Sequence, residues 1–494
     1  MLSMTLAQII QAVGGQVFGA ANLAPETRVH GLFTDTRKPM HGGMFVALRG
    51  ARFDAHDFLS TAVENGAAVL IVEQPLDGLN AVQVRVADTR IALGQLAAAW
   101  CAIWRAQGGK LVALTGSNGK TTTKEMLASI LRQVGSTLAT RGNLNNDIGV
   151  PLMLAELDAS HAFAVIEMGA NHAGEIAYLT ALARPDVALI TNTGRAHLQG
   201  FGGKQGVIAA KGEIFGGLRA GGVAVVNLDD EGAATWLDSP LFQYERAITV
   251  GRAEARLVGL KPDLQSRTGH TESLGVSCLR FSMNPAKQAD MQGQWQASPS
   301  VLRLAFDGME FDVNLQVVGE HNAHNALAAA AAARALGVAT AAIVAGLEAF
   351  AGVTGRLQQK SGRAGCVLWD DSYNANPDSL QAGIRAVAAQ GGACWLILGD
   401  MGELGDDAPS LHTEAGQLAN ELGVTRLWTV GALAARAAAA FGNGAQAFAS
   451  QQDLLDAVLP ALRPDVHILI KGSRSSGMEN VVQGLLQTTE EGSC

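Results

Sequence analysis

The chain has 494 residues, 48% of them hydrophobic and only 16% charged, against the ~25% usual for soluble proteins. That length and composition predict roughly two to four well-filled domains and exclude a disordered chain. A net charge of −9 argues against broad binding to nucleic acid or an anionic membrane surface, but not against a small anionic ligand at a local basic site.

Fifty-eight glycines beside 5% aromatics suggest tight turns and alanine-packed helices of an α/β protein. Cys101, Cys278, Cys366, Cys394 and Cys494 are scattered without a C-x-x-C, which predicts a reducing compartment and no structural zinc. The opening MLSMTLAQIIQAVGG has neither a basic n-region nor a long apolar core, so no signal peptide is expected. No stretch offers ~18 uncharged apolar residues of spanning character. A cytoplasmic chain without membrane insertion is the expectation.

Residues 5–13 predict a short helix with Thr5 as N-cap and Leu6, Ile9, Ile10 and Val13 as its buried side. Strands are predicted at 29–33, 43–48 and 68–72. Two polar clusters follow strand ends, where α/β sheets bind ligands: 34–38 (TDTRK) and 49–58 (RGARFDAHDF). Arg37, Lys38, Arg49 and Arg52 fit a diphosphate, and the Asp or Thr side chains a base or ribose. An ordinary solvated loop fits the same pattern equally well.

A connecting helix is predicted over 89–105. Leu111 to Leu114 is a short apolar run, as in a buried parallel strand. The turn Thr115-Gly116-Ser117-Asn118-Gly119 follows it. From Lys120 the pattern is helical, with Met126, Leu127, Ile130, Leu131 and Val134 at three- and four-residue steps. Strand, glycine turn and helix make a phosphate cradle: backbone N–H groups face an anion, Lys120 adds a point charge, and the Thr121 hydroxyl can ligate Mg2+. The spacing is shorter than G-x-x-x-x-G-K-S/T, since Leu114 stands where the first glycine belongs; this disfavours most GTPases and motor ATPases.

Strands at 162–168, 187–191 and 222–228 alternate with helical stretches, the mark of a parallel sheet. Glu167, Asn192, His197, Asp229 and Asp230 end or follow those strands, where a carboxylate opposite the cradle can serve Mg2+. Residues 261–300 are polar and weakly periodic, and predict an extended loop or irregular hairpin insertion without function, with 301–318 returning as paired strands. GEHNAHN at 319–325 opens an alanine-rich helix; His321 and His324 fit a polar helix start better than a metal site, because no third ligand has metal-type spacing. A second open α/β sheet is predicted after Arg356, with strands at 366–369, 394–398, 426–430 and 467–470 and helices at 378–389, 411–422, 432–441 and 453–463. Polar residues ending three of those strands imply a site on one edge. GFGGKQG at 200–206 follows no strand and is discounted as a dinucleotide motif.

Taken in order, TGSNGKTTTK, IEMGAN, TNTGRAH, AAKGEIF, GEHNAHNALAAAAA, DDSYNANPDS and KGSRS resemble the Mur ligases, ATP-dependent amide-forming enzymes of peptidoglycan synthesis. The resemblance covers nearly the whole chain outside 261–300. Within the family, FTDTRK, FVALRGARFDAHDF, TRGNLNNDIGVP and LGDMGELG resemble the segments of members that add D-alanyl-D-alanine to UDP-N-acetylmuramoyl-tripeptide. The D-N-P-R motif of the diaminopimelate-adding sister is absent at 399–405.

The resemblance implies an α/β protein of three domains. A small UDP-muramoyl-peptide-binding domain would occupy 1–88. A P-loop-type, mainly parallel ATP-binding domain would occupy 89–354, with the insertion at about 261–300. A Rossmann-like domain at 355–494 would close on ATP and bind the amino substrate. By resemblance, Gly116, Ser117, Asn118, Gly119, Lys120, Thr121 and Thr122 hold the ATP phosphates. Thr121 and Glu167 meet Mg2+, with two ions expected. His197 lies by the γ-phosphate and second metal, and Lys211 matches the lysine that the family carbamylates. Asn322 and Asn325 contact adenine, Arg356 a phosphate and Asp371 the ribose. Asn145 and Asn146 meet the muramyl-peptide. Thr34, Asp35, Thr36 and Arg37, with Arg49, Gly50, Asp54, His56 and Asp57, hold the UDP end. Asn374, Asn376, Asp400, Lys471 and Ser473 line the D-alanyl-D-alanine side.

The implied chemistry phosphorylates the tripeptide carboxylate and then lets the dipeptide amine displace phosphate. A monomer is expected. A folylpolyglutamate-type ligase and a nucleotide-dependent switch without synthesis are the rival readings; the DTRK-bearing N-terminal region opposes the first, and phosphate release independent of a dipeptide would favour the second.

Overall fold

A computed structural model describes residues 1–19, 23–50, 52–194, 198–240 and 275–487. Three sheets follow one another along the chain. The first runs Gln16–Phe18, Val82–Arg85, Val69–Val72, Met44–Val46, Leu32–Phe33, parallel except at its first pair. The strand Val82–Arg85 escapes the sequence reading. A small antiparallel pair, Ser3–Thr5 with Arg28–His30, flanks this sheet. Thr5 caps the helix Leu6–Val13 through a capping box with Gln8, as its sequence predicts.

The second sheet has nine strands: Met309–Asn314, Val301–Phe306, Met291–Gln296, Ser277–Ser282, Val223–Asn227, Val187–Ile190, Lys110–Thr115, Phe163–Glu167, Thr137–Ala139. Residues 277–282 and 291–296 correct the expectation of a loop or hairpin insertion. Ser277–Ser282 pairs in parallel with Val223–Asn227 and continues the main sheet. Met291–Gln296 then opens an antiparallel meander with the two returning strands. Their polar outward residues (Gln292, Gln294 and Gln296) hide the strand signal. Residues 261–274 of the expected insertion lie outside the described residues.

The helix Lys120–Arg132 ends before Val134, which is 48% exposed and so is not part of the buried stripe expected of it. That stripe (Met126, Leu127, Ile130 and Leu131) is fully buried. Glycine and alanine bring its neighbours close. A Cβ on Gly346 would lie 2.3 Å from the Ile130 Cα, so the helix Thr340–Glu348 crosses at backbone contact. The helix Glu320–Ala335 buries Ala326 and Ala328 to Ala333 in the same core.

The third sheet runs Gln358–Ser361, Val367–Asp371, Val466–Lys471, Ala393–Gly399, Arg426–Val430, Ala445–Phe448, parallel except at its first pair. Helices on both faces give it two cores, one around Trp369, Leu396 and Leu427 and one around Trp395, Ile397 and Ile468.

Helix Thr89–Ala106, capped by Asp88, ties the first sheet to the second. One buried cluster runs from Leu2, Val46 and Ile71 through Leu93, Leu96 and Trp100 to Leu111, Ile166 and Ile190. Trp100 and Trp104 donate their indole N–H groups to Leu157 O and His161 O, each at 2.9 Å. Among the described residues, no helix is long and apolar enough to cross a membrane.

Candidate active site

Parallel sheets present their ligand sites at the C-terminal strand edge, because the following helices start there with unsatisfied N–H groups. The C-terminal edges of the second and third sheets face each other across a cleft of about 1230 Å³. The phosphate loop forms its floor. Gly116, at φ +157°, is forced by space: a Cβ there would sit 1.9 Å from Thr191 Oγ1. Gly119, at φ +77°, would drive a Cβ to 2.1 Å from Asn325 Oδ1. Two glycines are therefore fixed by different neighbours, one under the loop and one beside it.

The loop's amides divide into two sets. Ser117 N–H donates to Asn192 O and Asn118 N–H to Asn192 Oδ1, both at 2.9 Å. Asn118 O accepts from Thr191 Oγ1 at 2.7 Å and Asn192 Nδ2 at 3.0 Å. Of the expected cradle amides, those of Ser117 and Asn118 therefore shape the loop itself. The N–H groups of Gly119, Lys120, Thr121 and Thr122 have no acceptor among the described residues and stand at the helix start, where a phosphate fits. Lys120 Nζ donates to Gly116 O at 2.8 Å and Ser117 O at 3.3 Å. Burial lowers its pKa and the Arg356 charge adds to that, against the opposing pull of Glu167.

Glu167 is 2% exposed, at the end of the neighbouring strand. Its Oε2 accepts from Thr121 Oγ1 at 3.1 Å and its Oε1 from Asn145 Nδ2 at 2.9 Å. Its own N–H donates to Thr140 Oγ1 at 2.9 Å, and buried Lys124 donates to Thr140 O. Thr140 and Lys124 were not singled out by sequence; nothing in their local pattern separates them from ordinary loop and helix positions. A hydroxyl and a carboxylate at the cleft floor are the hard oxygen donors Mg2+ takes.

Lys211, from the helix Lys204–Gly216, is 3% exposed, with its Nζ 5.8 Å from the Phe201 ring centroid. Burial first, and then the like charge of Lys120, push its pKa down to about 7. His197 lies outside the described residues.

Asn322 and Asn325 are buried at the start of the helix Glu320–Ala335 and line the cleft. Asn322 Nδ2 donates to Val318 O at 2.8 Å, and Asn325 Oδ1 accepts from Thr123 Oγ1 at 3.3 Å. His321 is half-buried beside them; desolvation there pushes its pKa down to about 4, so it is neutral at physiological pH.

Opposite them, Arg356 stacks on Tyr373, guanidinium carbon 4.2 Å from the ring centroid. Asp371 Oδ1 accepts from Leu357 N–H at 3.2 Å, and its Oδ2 from Lys471 Nζ at 2.5 Å. Lys471 also donates to Asn374 O at 3.0 Å. Asn376 caps the helix Pro377–Ala388 and sends its Nδ2 to Asn118 Oδ1 at 2.8 Å, joining the third sheet to the phosphate loop.

Asn145 and Asn146 line the same cleft, near the start of the connecting helix. Asn146 Oδ1 accepts from Ile148 and Gly149 N–H, so that side chain caps the next helix. Asp400 and Ser473 are not among the cleft residues, contrary to expectation. Asp400 Oδ1 accepts from Leu433 and Ala434 N–H at the start of the helix Ala434–Phe441. Ser473 is 4% exposed, with its hydroxyl within 3.1 Å of the Ser475 and Ser476 hydroxyls. Both side chains are used to fold the strand ends.

The N-terminal cluster sits apart from this cleft. Arg37 is exposed and makes a two-pronged pair with Asp35, which holds that carboxyl at about 2. Thr34 is half-buried before them, and Thr36 O accepts from Asn65 Nδ2 at 3.0 Å. Arg49 pairs with Asp54 at 2.8 Å and Glu73 at 3.3 Å. His56 is a relay between them: Nδ1 lies 2.6 Å from Asp54 Oδ1, and Nε2 accepts from Glu73 N–H at 2.9 Å. Gly50 N–H donates to Phe53 O at 2.8 Å, and exposed Asp57 lies within the short 3-10 turn Ala55–Phe58. The expected UDP residues thus lie in two loops, each with its own ion pair and neither lining the phosphate site.

Three models of the Mur ligase family match the chain: the family's catalytic domain at 28–100, its middle domain at 114–333 and its glutamate ligase domain at 355–474. The chain is 39% identical over 505 residues, 100% of each chain, to UDP-N-acetylmuramoyl-tripeptide--D-alanyl-D-alanine ligase of Escherichia coli K12. It superposes on a crystal structure of MurF from Acinetobacter baumannii with TM-score 0.83 at 37% identity, covering 98% of each chain. A crystal structure of MurF ligase from Thermotoga maritima in complex with ADP gives TM-score 0.74 at 25% identity, covering 92% of this chain and 97% of that one.

Proposed function

The chain belongs to the Mur ligase family, and we infer from that membership and from the cleft that it joins D-alanyl-D-alanine to UDP-N-acetylmuramoyl-tripeptide with turnover of ATP. It is an ATP-dependent ligase that forms a C–N bond in peptidoglycan synthesis. The carrying observation is one cleft in which the amides of Gly119 to Thr122, Glu167 and Lys211 face the edge of the third sheet, in a chain matched end to end by a ligase of that activity. Labour divides by sheet in this reading: the UDP end on 1–88, ATP on 89–354 and the amino substrate on 355–494. Small-molecule substrates and a cytoplasmic reaction, where ATP and UDP-linked precursors meet, follow from it.

A carboxylate resists attack by an amine because its oxygen would leave as a bare oxide. In the first step a carboxylate oxygen of the tripeptide bonds to the γ-phosphorus of ATP, the β–γ bridging bond breaks, and ADP leaves. In the second, the dipeptide amine bonds to the acyl carbon, the acyl–oxygen bond to phosphate breaks, and the amine loses a proton. Negative charges converge in the first transition state. Lys120 and the four free amides offset that repulsion in a site already organised for it. Thr121 and Glu167 would hold Mg2+, which supplies further charge neutralisation on the phosphates. Asn322 and Asn325 fit the adenine, Arg356 a phosphate and Asp371 the ribose.

The depressed pKa of Lys211 leaves much of its amine neutral near pH 7, the form that adds CO2 to give a carbamate and a proton. The product is an anionic oxygen ligand where a cation stood, and this supports a carbamylated Lys211 at the second metal position. Lys120→Ala is expected to abolish ligation while binding of the UDP-tripeptide, followed by calorimetry, survives. Loss of both together would contradict the division of labour.

A further inference from the structure

The dipeptide offers the enzyme few handles. Its amine must be neutral when it attacks, so its carboxylate is the one permanent charge by which it can be told from other small amines. A cation with a free face is therefore needed on the amino-substrate side of the cleft. Among the described residues, the Lys and Arg side chains lining the cleft are Arg90, Lys120, Lys211, Arg356, Lys471 and Arg474.

Five of these have other work. Arg90 pairs with Asp147 at the connecting-helix end. Lys120 and Lys211 belong to the phosphate floor. Lys471 is 1% exposed and neutralised by Asp371 at 2.5 Å. Arg356 has its guanidinium carbon 4.2 Å from the Tyr373 centroid, and its charge bears on Lys120 of the phosphate loop.

Arg474 differs from all of them. Its guanidinium carbon is 5.7 Å from the centroid of the same Tyr373 ring, and its side chain is 67% exposed. Nη1 donates to Glu479 Oε1 at 3.0 Å; no described residue accepts from Nε or Nη2. An exposed pair of this kind contributes little, so a partner can be exchanged at small cost. The backbone beneath it is fixed: Ser473 N–H donates to Asp400 O and Ser476 N–H to Ser473 O, both at 2.9 Å. A guanidinium with a free edge on a rigid turn matches the two oxygens of a carboxylate.

We propose that Arg474, steadied by Tyr373, reads the terminal carboxylate of the incoming D-alanyl-D-alanine and so sets the enzyme's choice of amino substrate. The proposal rests on the ligase reading above. Its test compares D-alanyl-D-alanine with its C-terminal amide as acceptor in steady-state ADP release.

The wild-type chain is expected to prefer the acid. Arg474→Ala is expected to raise the KM for the dipeptide about 10- to 100-fold, as loss of a hydrogen bond to a charged group does. It should bring the kcat/KM values for acid and amide to within about twofold, while the KM values for ATP and the UDP-tripeptide stay within about twofold of wild type. Glu479→Gln breaks the same ion pair but leaves the guanidinium, and is expected to keep the preference for the acid. An Arg474→Ala enzyme that still prefers the acid, a Glu479→Gln enzyme that loses the preference equally, or a wild-type enzyme indifferent to the carboxylate overturns the proposal. Absence of ADP release with either acceptor in the wild type would instead overturn the ligase reading itself.

Discussion

The joint between the first and second sheets is apolar, and the joint between the second and third is polar. At the first, Leu93, Leu96 and Trp100 share one buried cluster with both sheets. At the second, the cores stay separate: those of the third sheet are built from residues 357 onward, with Val318 only at their margin. Among the described residues, what crosses includes the Asn376–Asn118 hydrogen bond and two close approaches, in which a Cβ on Gly319 would lie 2.9 Å from the Ala386 Cβ and one on Gly194 2.7 Å from Asp378 Oδ2. A dry seam fixes geometry, because opening it exposes apolar surface. A polar seam exchanges its bonds with water at little cost, the usual setting for domain motion. The chemistry needs both. On the proposed division of labour, the acid is held rigidly to the phosphate loop, while the third sheet opens for the dipeptide and closes to keep water from an acyl phosphate.

The sharpest way to break this comparison is Trp100→Ala. It removes the central packing of the dry seam and an indole bond to Leu157 O, and is expected to cost about 3–5 kcal/mol in urea unfolding. A loss below about 1 kcal/mol would mean that the two sheets do not share a core energetically.

A smaller effect sharpens the contrast between two buried lysines. Lys471 has Asp371 as a partner, whereas Lys211 has no acid among the causes of its shift. Its pKa, about 7 folded against 10.5 unfolded, means that the unfolded chain binds more protons between those values. The group's penalty on stability is therefore full below about pH 7 and fades as pH rises toward 10.5. Lys211→Met in CO2-free buffer is expected to raise the unfolding midpoint most at pH 6–7 and hardly at all near pH 10, read by thermal melts across pH. A pH-independent gain would contradict the uncompensated burial of the amine.

The smallest change tests the polar joint. Asn376→Ser keeps a helix cap but removes the Nδ2 donor to Asn118. Stability is expected to change by less than about 1 kcal/mol, while the KM for the dipeptide rises. An unfolding loss as large as that of Trp100→Ala would mean that the joint is structural rather than a point of closure.

The comparison also explains what sequence reading reached. Gly116 and Gly119 were legible because backbone chemistry leaves glycine little competition at a phosphate loop. Asn322 and Asn325, named by the resemblance, line the cleft. Asp400 and Ser473 misled because strand-end polar groups serve two purposes, capping a neighbouring helix or facing a ligand, and local sequence does not tell which. Residues 277–282 and 291–296 were missed as strands because polar side chains (Ser277 and Arg280 in one, Gln292, Gln294 and Gln296 in the other) interrupt their apolar pattern. Arg474 was quoted within KGSRS but not chosen, since its distinction from Lys471 is a matter of partners in space.

The central claim is that the phosphate loop and the third sheet act in sequence on one acid, the first activating it and the second delivering the amine. ADP release with ATP, Mg2+ and UDP-N-acetylmuramoyl-tripeptide, measured with and without D-alanyl-D-alanine, tests this most directly. Sustained release only when the dipeptide is present is the predicted result. Equal release without it, or none with both substrates present, would contradict the account.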